Sequence, residues 1–536
     1  MNFFFFFTTL NYKPWNSVAI HLKHLYPGSR FAGIISAHGN IKKYLENQKE
    51  IEYEFLYDIY NIEAKFIKED LAEEEVREFE ETLPEKSLWR LIAVDRKWGY
   101  QFSKGAVPFE LQSRKEVNYD NALRVAGGYV RFFKRVLSKF NADVVLFRLG
   151  THSMASPILE HVCKRKNILH LAPTETRVQN YCTITTNKEV IFHNINETYT
   201  KIIKGELVID PSPGEKCYEE MFALLKDKNK TYYHDQGDKY VKKLKSYKPG
   251  NVILSFLKAI ISTTGHLYKI RALELEKGLK SQTMNKNSRY SFRNILFNYY
   301  RSLYRFYQRK KLSEESFYDK YNPSEKYLYF PLHLSPEYAL QVRANMWINQ
   351  LFIIEVLAKS IPFDWKIYVK EHPSNLLHRV RPFSFYKEIK SYANVKLIPT
   401  TLDNNDIIRN SQFVVTITGT TGWEAVLFHN KPVINFHESS YEITELSKRV
   451  SSLFDLSKEI YNEVKRINKI SPDERKKRLV CLLNAVLLHS FKADKPYAVS
   501  GEDPFPLSNE DINSAGKTLS NAIKRYIDEV NQDRIR

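Results

Sequence analysis

Cysteine is scarce in this chain, and the four residues present are scattered. They form no CxxC pair and have no histidines near them at metal-ligand spacing. Neither a disulfide framework nor a zinc site is therefore indicated. A reducing compartment suits such a chain, and we expect a cytoplasmic protein. The cysteines are Cys163, Cys182, Cys217 and Cys481.

Long hydrophobic runs are also missing. No stretch approaches the roughly 20 apolar residues that a membrane-spanning helix needs. The aromatic run Phe3–Phe7 has no basic residues before it and no small-residue cleavage site after it. We therefore expect a buried first strand here, rather than a signal peptide.

Two polar motifs follow strand-like runs within residues 365–436. In WKIYVKEHP, a β-prone run delivers Lys370 and His372 to its carboxyl end. In FVVTITGTTGWEAVLF, an apolar run passes through a turn containing Gly419 and Gly422 into a helix-like pattern. A helix that begins this way offers free backbone N–H groups to an anion, and glycines let the backbone approach it closely.

The strand-like segment KPVINF comes next, which gives the order strand, helix, strand. This is the unit of a parallel sheet, and ligands of such sheets bind outside the carboxyl ends of the strands. The two motifs therefore predict a site for a pyrophosphate or a nucleoside monophosphate. The alternative for each motif is a well-capped turn without a ligand.

A metal-binding DxD pair is not evident. Asp403 and Asp406 in TTLDNNDII come nearest, and we expect them to cap the helix that follows. The sequence therefore predicts no metal ion, and no cofactor beyond a nucleotide-linked substrate.

Positive charge is in excess, with 81 Lys and Arg against 62 Asp and Glu. Residues 277–311 hold about ten basic residues and no acidic one, with aromatic residues at helical spacing among them. One interpretation is a basic amphipathic helix in peripheral contact with an anionic membrane. The other is a helix packed on its own domain with a solvated basic face. Nucleic acid is not expected as a partner, because no RNA- or DNA-binding motif accompanies the charge.

Four segments follow from the pattern of elements. Residues 1–223 alternate strands and helices, and we predict a Rossmann-like domain. Residues 224–322 lack strand alternation and are interpreted as a helical basic connector or insertion. Residues 323–504 carry both motifs and are predicted to be a Rossmann-like, nucleotide-sugar-binding domain. Residues 505–536 begin with a cap-like Ser508 and predict a helix that crosses back to the first domain.

An ordered set of short motifs resembles a known family. The set is YFPLHLSPE, Gln350, VKEHP, FY, NV, LIP and TITGTTGWEAVLFHNKPVINF, and it covers about 327–438. It is similar to the capsule polysaccharide biosynthesis protein family, which includes Kdo transferases acting on capsule lipid anchors. The resemblance implies an α/β, GT-B-like fold, in which two doubly wound domains flank a cleft, and a metal-independent glycosyltransferase.

The resemblance also implies roles for particular residues of the second domain. His372 would contact the nucleotide phosphate, and Lys370 would help it neutralise the leaving group. Glu424, expected in the first helical turn, would bind ribose hydroxyls, although a carboxylate that only complements the helix dipole is equally consistent with the sequence. The phosphate would be held by Thr418, Gly419, Thr420 and Thr421. His437 follows Phe436 where family members often have a glycine, so the edge of this pocket differs from the family pattern.

The first domain would hold the acceptor, and an inverting enzyme would also need a general base. Candidates lie on loops after strand-like runs: His38, His152 and Glu175, of which Glu175 and His152 are preferred. Arg177 is the candidate for binding an acidic acceptor or a donor carboxylate. A retaining enzyme would not need such a base.

The function expected from the resemblance is transfer of a sugar, with Kdo from CMP-Kdo as the best single donor, to a lipid-linked or oligosaccharide acceptor. Transfer of glycerol phosphate from CDP-glycerol, or of a sugar from a UDP-linked donor, would use the same phosphate turn. A non-catalytic subunit that binds or exports the polysaccharide is the alternative from another class.

Overall fold

The structure is a computed structural model of the chain. It describes residues 1–36, 41–99, 102, 119–186, 190–226, 261, 307–308, 311–312, 314–335, 337–378, 381–500 and 507–535. Most of the predicted basic helix within 277–311 and most of the connector 224–322 therefore lie outside the described residues, as does the candidate base His38.

The first sheet has seven strands in the order β13-β6-β5-β4-β1-β2-β3, and β1 to β5 run parallel. Two antiparallel strands, β6 and β13, complete one side. The strands are β1 (Asn2–Thr8), β2 (Arg30–Ser36), β3 (Tyr53–Asp58), β4 (Val144–Leu146), β5 (Leu169–Glu175), β6 (Tyr181–Thr185) and β13 (Ser490–Lys492). The helices of this part are α1 (Tyr12–Leu25), α2 (Ile41–Asn47), α3 (Ile59–Phe66), α4 (Glu73–Thr82), α5 (Leu88–Ala93), α6 (Tyr119–Phe140), α7 (Ala155–Arg165), α8 (His193–Ile203) and α9 (Ser212–Lys226).

The run Phe3–Phe7 forms the central strand β1, as the sequence predicts, and all five rings are fully buried. Successive side chains of a strand point to opposite faces. Phe4 and Phe6 accordingly pack into one core, and Phe3, Phe5 and Phe7 pack into the other. Both faces are covered, which is why the strand is a continuous apolar run instead of an alternating pattern.

The second sheet has six parallel strands in the order β12-β11-β10-β7-β8-β9. Its strands are β7 (Tyr327–Pro331), β8 (Lys366–Lys370), β9 (Val395–Ile398), β10 (Phe413–Thr416), β11 (Val433–Asn435) and β12 (Lys448–Arg449). Its helices are α10 (Gln350–Ala358), α11 (Pro373–His378), α12 (Phe383–Ser391), α13 (Asn404–Asn410), α14 (Thr420–Phe428) and α15 (Leu456–Asn468). Short 3-10 and π turns lie at Glu315–Phe317, Ala339–Arg343, Asn345–Trp347 and Glu442–Thr444.

The α/β fold class expected from the sequence is confirmed, because a mostly parallel sheet and a fully parallel sheet, both Rossmann-like, each carry helices between their strands. The two parts touch through side chains. Arg96 Nε donates to Gln341 Oε1 at 3.2 Å, and Asn345 Nδ2 donates to the Arg90 carbonyl at 3.0 Å.

After the second sheet the chain returns to the first. Helix α16 (Pro472–Leu488) packs against α8 and α9, and β13 then joins the edge of the first sheet. Helices α17 (Pro496–Ser500) and α18 (Asn509–Ile535) follow, and α18 packs along α1. Ser508 caps α18, because its Oγ accepts from the Asp511 amide at 3.0 Å.

Among the described residues, no helix is both long enough and apolar enough to cross a membrane.

Candidate functional site

Three neighbouring strands of the second sheet end at the same level. Pro331 of β7 lies opposite Lys370 of β8, and the register of β10 on β7, continued by two residues, sets Thr416 level with Pro331. Each strand is followed two residues later by a polar side chain, which gives His333, His372 and Thr418. The carboxyl edge of this sheet therefore brings the KEHP and TITGTTG motifs together, with His333 between them.

Glu371 is the most heavily bonded residue of the edge. Its Oε2 accepts from Arg381 Nε at 2.7 Å and from the Tyr386 hydroxyl at 2.9 Å. Its Oε1 accepts from Asn375 Nδ2 at 3.0 Å and from the His372 amide at 2.7 Å. The Glu371 and Arg381 side chains are almost fully buried. Because every bond is internal, Glu371 holds the shape of the KEHP loop and is not available to a ligand.

His372 is a neutral imidazole with a defined tautomer. Burial, together with the nearby cations Arg381 and Lys370, lowers its pKa to about 4, against the opposing effect of Glu371. The Ser374 amide donates to Nδ1 at 3.2 Å, so Nδ1 is an acceptor and the ring proton is on Nε2. The predicted phosphate ligand His372 can therefore offer an N–H donor without a positive charge.

Lys370 is turned into the protein. Its Nζ donates to the Leu402 carbonyl at 2.7 Å, and only 7 % of the residue is exposed. Burial lowers its pKa to about 8, and the carboxylates of Asp403 and Glu424 oppose that shift. Direct neutralisation of a leaving group by Lys370 would require it to leave the Leu402 carbonyl.

Glu424 lies close to this lysine, but deeper in the helix than the sequence indicated. It is the fifth residue of α14, and the first turn of α14 holds no acidic residue, which corrects the expected position. Its Oε2 accepts from Asn404 Nδ2 at 2.8 Å, and Asn404 Oδ1 accepts from the Tyr329 hydroxyl at 2.7 Å. Burial raises the pKa of Glu424 to about 7. A carboxyl group at this position can exchange hydrogen bonds with sugar hydroxyls.

Some backbone amides of the TITGTTG turn donate hydrogen bonds within the protein, and others face the open edge of the sheet. The amides of Ile417 and Thr418 donate to His333 Nε2 at 3.1 and 3.3 Å, and the Gly419 amide donates to Thr416 Oγ1 at 2.9 Å. In the described part of the chain, the amides of Thr420 and Thr421 at the start of α14 have no protein acceptor, and both residues are half-buried. An anion at this helix N-terminus would therefore meet these two amides and the threonine hydroxyls.

The two glycines of the turn are required by close packing. A Cβ on Gly419 would lie 2.7 Å from Thr416 Oγ1 and 2.8 Å from His333 Cε1. A Cβ on Gly422 would lie 1.9 Å from the Tyr441 hydroxyl, which itself donates to Asn435 Oδ1 at 2.7 Å. The glycines thus let α14 begin directly on the sheet edge.

His333 is the residue that the sequence analysis did not select, although it lies in the quoted motif YFPLHLSPE. It is 7 % exposed, and burial, with His372 and Arg381 nearby, lowers its pKa to about 3. Its backbone N–H donates to Gln350 Oε1 at 2.8 Å, and Arg381 Nη2 donates to its carbonyl at 2.6 Å. The signal was a second histidine two residues beyond a strand parallel to KEHP.

The candidate catalytic and acceptor-binding residues of the first domain do not form one cluster in the way that the residues of the second sheet do. Glu175 ends β5, is 8 % exposed, and accepts from Ser500 Oγ at 3.3 Å, so it lies against the returning C-terminal segment. Arg177 is half-buried in the loop after β5, with a left-handed φ of 66°.

His152 lies nearer the junction of the two parts. Its carbonyl accepts from the Arg96 amide at 3.4 Å, and the Arg96 side chain contacts Gln341 of the second part. Asp95 fixes this loop, because its Oδ2 accepts from the Met154 amide at 3.0 Å and its Oδ1 from the amides of Lys97 and Trp98. The structure therefore favours His152 over Glu175 as the catalytic candidate closest to the second domain.

Among the described residues, no group of three or more His, Cys, Asp or Glu side chains could hold a metal ion. Asp403 caps α13 through the Asn405 amide at 3.1 Å, and Asp406 pairs with Arg409 at 2.8 Å. Asp403 is thus the helix cap that the sequence predicts, whereas Asp406 lies inside the first turn of α13 and does not cap it.

The family comparison bears on the same stretch of chain. Residues 268–457 match the family model described as "Capsule polysaccharide biosynthesis protein". This segment is similar to the capsule polysaccharide biosynthesis family. The match includes β7 to β12, both motifs and His333, so the recognised segment and the candidate site coincide. No curated protein sequence matches the chain.

Solved structures give distant likenesses. One is titled "Thermosulfurimonas dismutans KpsC, beta Kdo 2,4 transferase", with 12 % identity over 70 % of this chain and 87 % of that chain, at a TM-score of 0.35. A UDP-GlcNAc 2-epimerase from Neisseria meningitidis, bound to UDP-GlcNAc, has 12 % identity over 98 % of this chain and 100 % of that chain, at 0.22. A putative UDP-N-acetylglucosamine 2-epimerase from Listeria monocytogenes has 12 % identity over 98 % and 97 %, at 0.26.

Proposed function

We propose that the chain is a metal-independent GT-B glycosyltransferase of capsule or surface polysaccharide assembly, with a CMP-activated sugar such as CMP-Kdo as its donor. The arrangement of residues at the carboxyl edge of the second sheet supports this proposal. There, the neutral imidazole of His372 lies on the same edge as a helix N-terminus with two amides that no described residue occupies. Hydrogen-bond donors fixed in this way suit an anion whose charge increases as the sugar leaves.

The donor nucleotide would lie across the ends of β7, β8 and β10. Its phosphate would meet the amides of Thr420 and Thr421, the threonine hydroxyls and Nε2–H of His372. Glu424 would accept from a ribose hydroxyl. A nucleoside monophosphate leaving group fits because hydrogen bonds from this set, without a metal ion, can stabilise its charge.

The acceptor would enter between the two parts, where Arg96 and Gln341 meet. Positioning of its hydroxyl against the anomeric carbon would supply much of the rate. His152 is the favoured general base if the reaction inverts the anomeric centre, and Arg177 is retained as a candidate for an acidic group of a substrate. Peripheral contact with an anionic membrane through 277–311 belongs to the same proposal.

A thermal-shift titration with CMP, UMP, CDP and UDP tests the donor. Ligand that binds only the folded protein raises the apparent melting temperature by mass action. We expect CMP to raise the melting temperature more than the other nucleotides do. We expect His372→Ala to bind CMP at least tenfold more weakly than wild type. Lys359→Ala, which removes an exposed ion pair on α10, serves as the control and should keep the shift.

The other outcomes separate the alternatives. A preference for CDP would favour transfer of glycerol phosphate, and a preference for UDP would favour a UDP-linked sugar. If no nucleotide shifts the melting temperature of the wild-type protein, the transferase proposal fails and a non-catalytic, polysaccharide-binding subunit replaces it.

A further inference from the structure

His333 stands between the two motifs and faces both. It follows β7, whose neighbours β8 and β10 carry KEHP and TITGTTG. Its ring is held at Nε2 by the amides of Ile417 and Thr418 at 3.1 and 3.3 Å, and Thr416 Oγ1 lies 3.3 Å from the same nitrogen. The ring thus forms the inner wall of the turn at the start of α14.

These bonds fix the position of the ring proton. A backbone amide can only donate, so Nε2 must present its lone pair to the amides of Ile417 and Thr418. In a neutral imidazole the other nitrogen then carries the hydrogen. His333 is therefore an Nδ1–H donor, the opposite tautomer from His372, whose Nδ1 accepts from the Ser374 amide.

The backbone of His333 is held as firmly as its ring. Gln350 accepts from its N–H at 2.8 Å and donates to its carbonyl at 3.3 Å. Arg381, which is paired with Glu371, donates to the same carbonyl at 2.6 Å. The backbone position is thus fixed, and the ring cannot turn over without breaking its bonds from the Ile417 and Thr418 amides.

The Nδ1 atom lies where a ligand can approach. It is 3.4 Å from the place that a Cβ on Gly419 would occupy, and Gly419 caps the helix whose next two amides are open. No described residue accepts a hydrogen bond from Nδ1, and the atom is not shut off from solvent.

We propose that His333 binds a phosphate oxygen of the donor through Nδ1–H while its Nε2 shapes the turn. This inference rests on the proposed function and adds a second imidazole donor to the site. The two rings would donate hydrogen bonds to one anion from neighbouring strand ends, His333 through Nδ1–H and His372 through Nε2–H. The helix N-terminus of α14 would supply the third contact.

Two substitutions separate the two roles of the ring. In His333→Gln, the side-chain oxygen can take the place of Nε2 as acceptor for the Ile417 and Thr418 amides, but Nδ1–H is lost. In His333→Asn, an amide N–H can take the place of Nδ1–H, but the side chain is too short to reach those amides.

We expect His333→Gln to melt close to the wild-type temperature without ligand and to bind CMP about tenfold more weakly, because a hydrogen bond to a charged phosphate is lost. We expect His333→Asn to melt at a lower temperature. Binding of CMP by His333→Gln that equals wild-type binding would overturn the phosphate contact.

The tautomer can be measured without any nucleotide. In protein labelled with 15N-histidine, the ring signals that disappear in His333→Gln belong to His333, and we expect them to show the proton on Nδ1. A proton on Nε2 would overturn the inference even if CMP binds. Failure of wild-type protein to bind any nucleotide, with the proton found on Nδ1, would instead count against the proposed function and its phosphate.

Discussion

The carboxyl edges of the two sheets differ in how their polar residues are arranged. At the second sheet, residues from three neighbouring strand ends meet around His333 and are joined by short internal hydrogen bonds. At the first sheet, Glu175 is packed against the returning C-terminal segment, and His152 lies on another loop beside Arg96. The polar residues of the second edge are preorganised by internal hydrogen bonds, whereas the two candidates at the first edge lie in separate surroundings.

The difference shows when a sequence motif predicts the geometry of a site. KEHP and TITGTTG follow parallel strands that flank the same neighbour, so their geometry is set by the sheet. His152 lies on the loop after β4, and Glu175 is the last residue of the neighbouring strand β5, but the course of each loop depends on distant contacts. Asp95 holds one of these loops and Ser500 meets the residue at the start of the other.

Removal of Glu371 is expected to have the largest effect on stability, and it tests whether the second edge is preorganised. Its loss would leave the buried Arg381 without its carboxylate, and we expect Glu371→Ala to lower the free energy of unfolding by about 3–5 kcal/mol. Urea unfolding measures the change. Glu355→Ala removes an exposed ion pair with Lys359 and should cost under about 1 kcal/mol. Equal losses in the two variants would show that the edge is not preorganised by this carboxylate.

At the first edge, the comparison predicts unequal roles for its two candidates. We expect His152→Ala to lower the turnover of a CMP-sugar donor about a hundredfold, as loss of a general base does, with CMP affinity unchanged. Glu175→Gln, which can keep the contact with Ser500, should change turnover less than tenfold. The reverse order in steady-state kinetics would move the base to Glu175.

The close packing of the turn predicts the effect of Gly419→Ala. The added methyl group would press on Thr416 and His333, so we expect CMP to bind at least tenfold more weakly in calorimetry. Gly205→Ala is the control, because Gly205 has a φ of 74° and open space around it. That variant should lose stability through backbone strain and keep CMP binding. Unchanged CMP binding in Gly419→Ala would mean that the turn accommodates a methyl group at this position without moving Thr416 or His333.

Acid should destabilise the second edge. His333 has a pKa of about 3 in the folded protein, against an ordinary value of 6.5. Between pH 6.5 and pH 3 the unfolded chain binds a proton at this ring that the folded chain does not, so stability is lost as the pH falls. The part lost from pH 7 to pH 5 is about 2 kcal/mol.

Urea unfolding at pH 7 and pH 5 measures this loss. His333→Gln should lose about 2 kcal/mol less than wild type between the two values, whereas His24→Gln, at an exposed position of α1, should behave as wild type. The same loss in wild type and His333→Gln would show that the ring titrates normally.

The smallest effect is expected at Glu424, and its sign is opposite. Burial raises its pKa to about 7 from an ordinary 4.5, so the folded protein keeps a proton that the unfolded chain releases, and stability is lost as the pH rises from 4.5 through 7. Glu424→Gln should therefore gain about 1 kcal/mol over wild type at pH 8 relative to pH 6. No difference between the two pH values would indicate that Glu424 is already ionised below neutral pH.

Much of the architecture could be predicted from local sequence. The run Phe3–Phe7 specified a strand buried on both faces, Asp403 specified a helix cap, and the glycines of TITGTTG specified a close strand-to-helix turn. These features depend on neighbours in the chain, through side-chain alternation, capping and the absence of a Cβ.

Other features of the site required the fold. Glu424 was expected in the first turn of its helix and lies one turn further on, because α14 begins at Thr420. Lys370 looked like a free cation and is bound to the Leu402 carbonyl, 32 positions away in the chain.

The sequence by itself determined which strands end in polar motifs, and therefore where a nucleotide site could be. Only the tertiary structure decided that β7 lies between β8 and β10, which places His333 against the amides of Ile417 and Thr418. Strand order and the hydrogen bonds it creates join residues more than 80 positions apart. No local pattern encodes such pairings, because they result from the packing of whole strands.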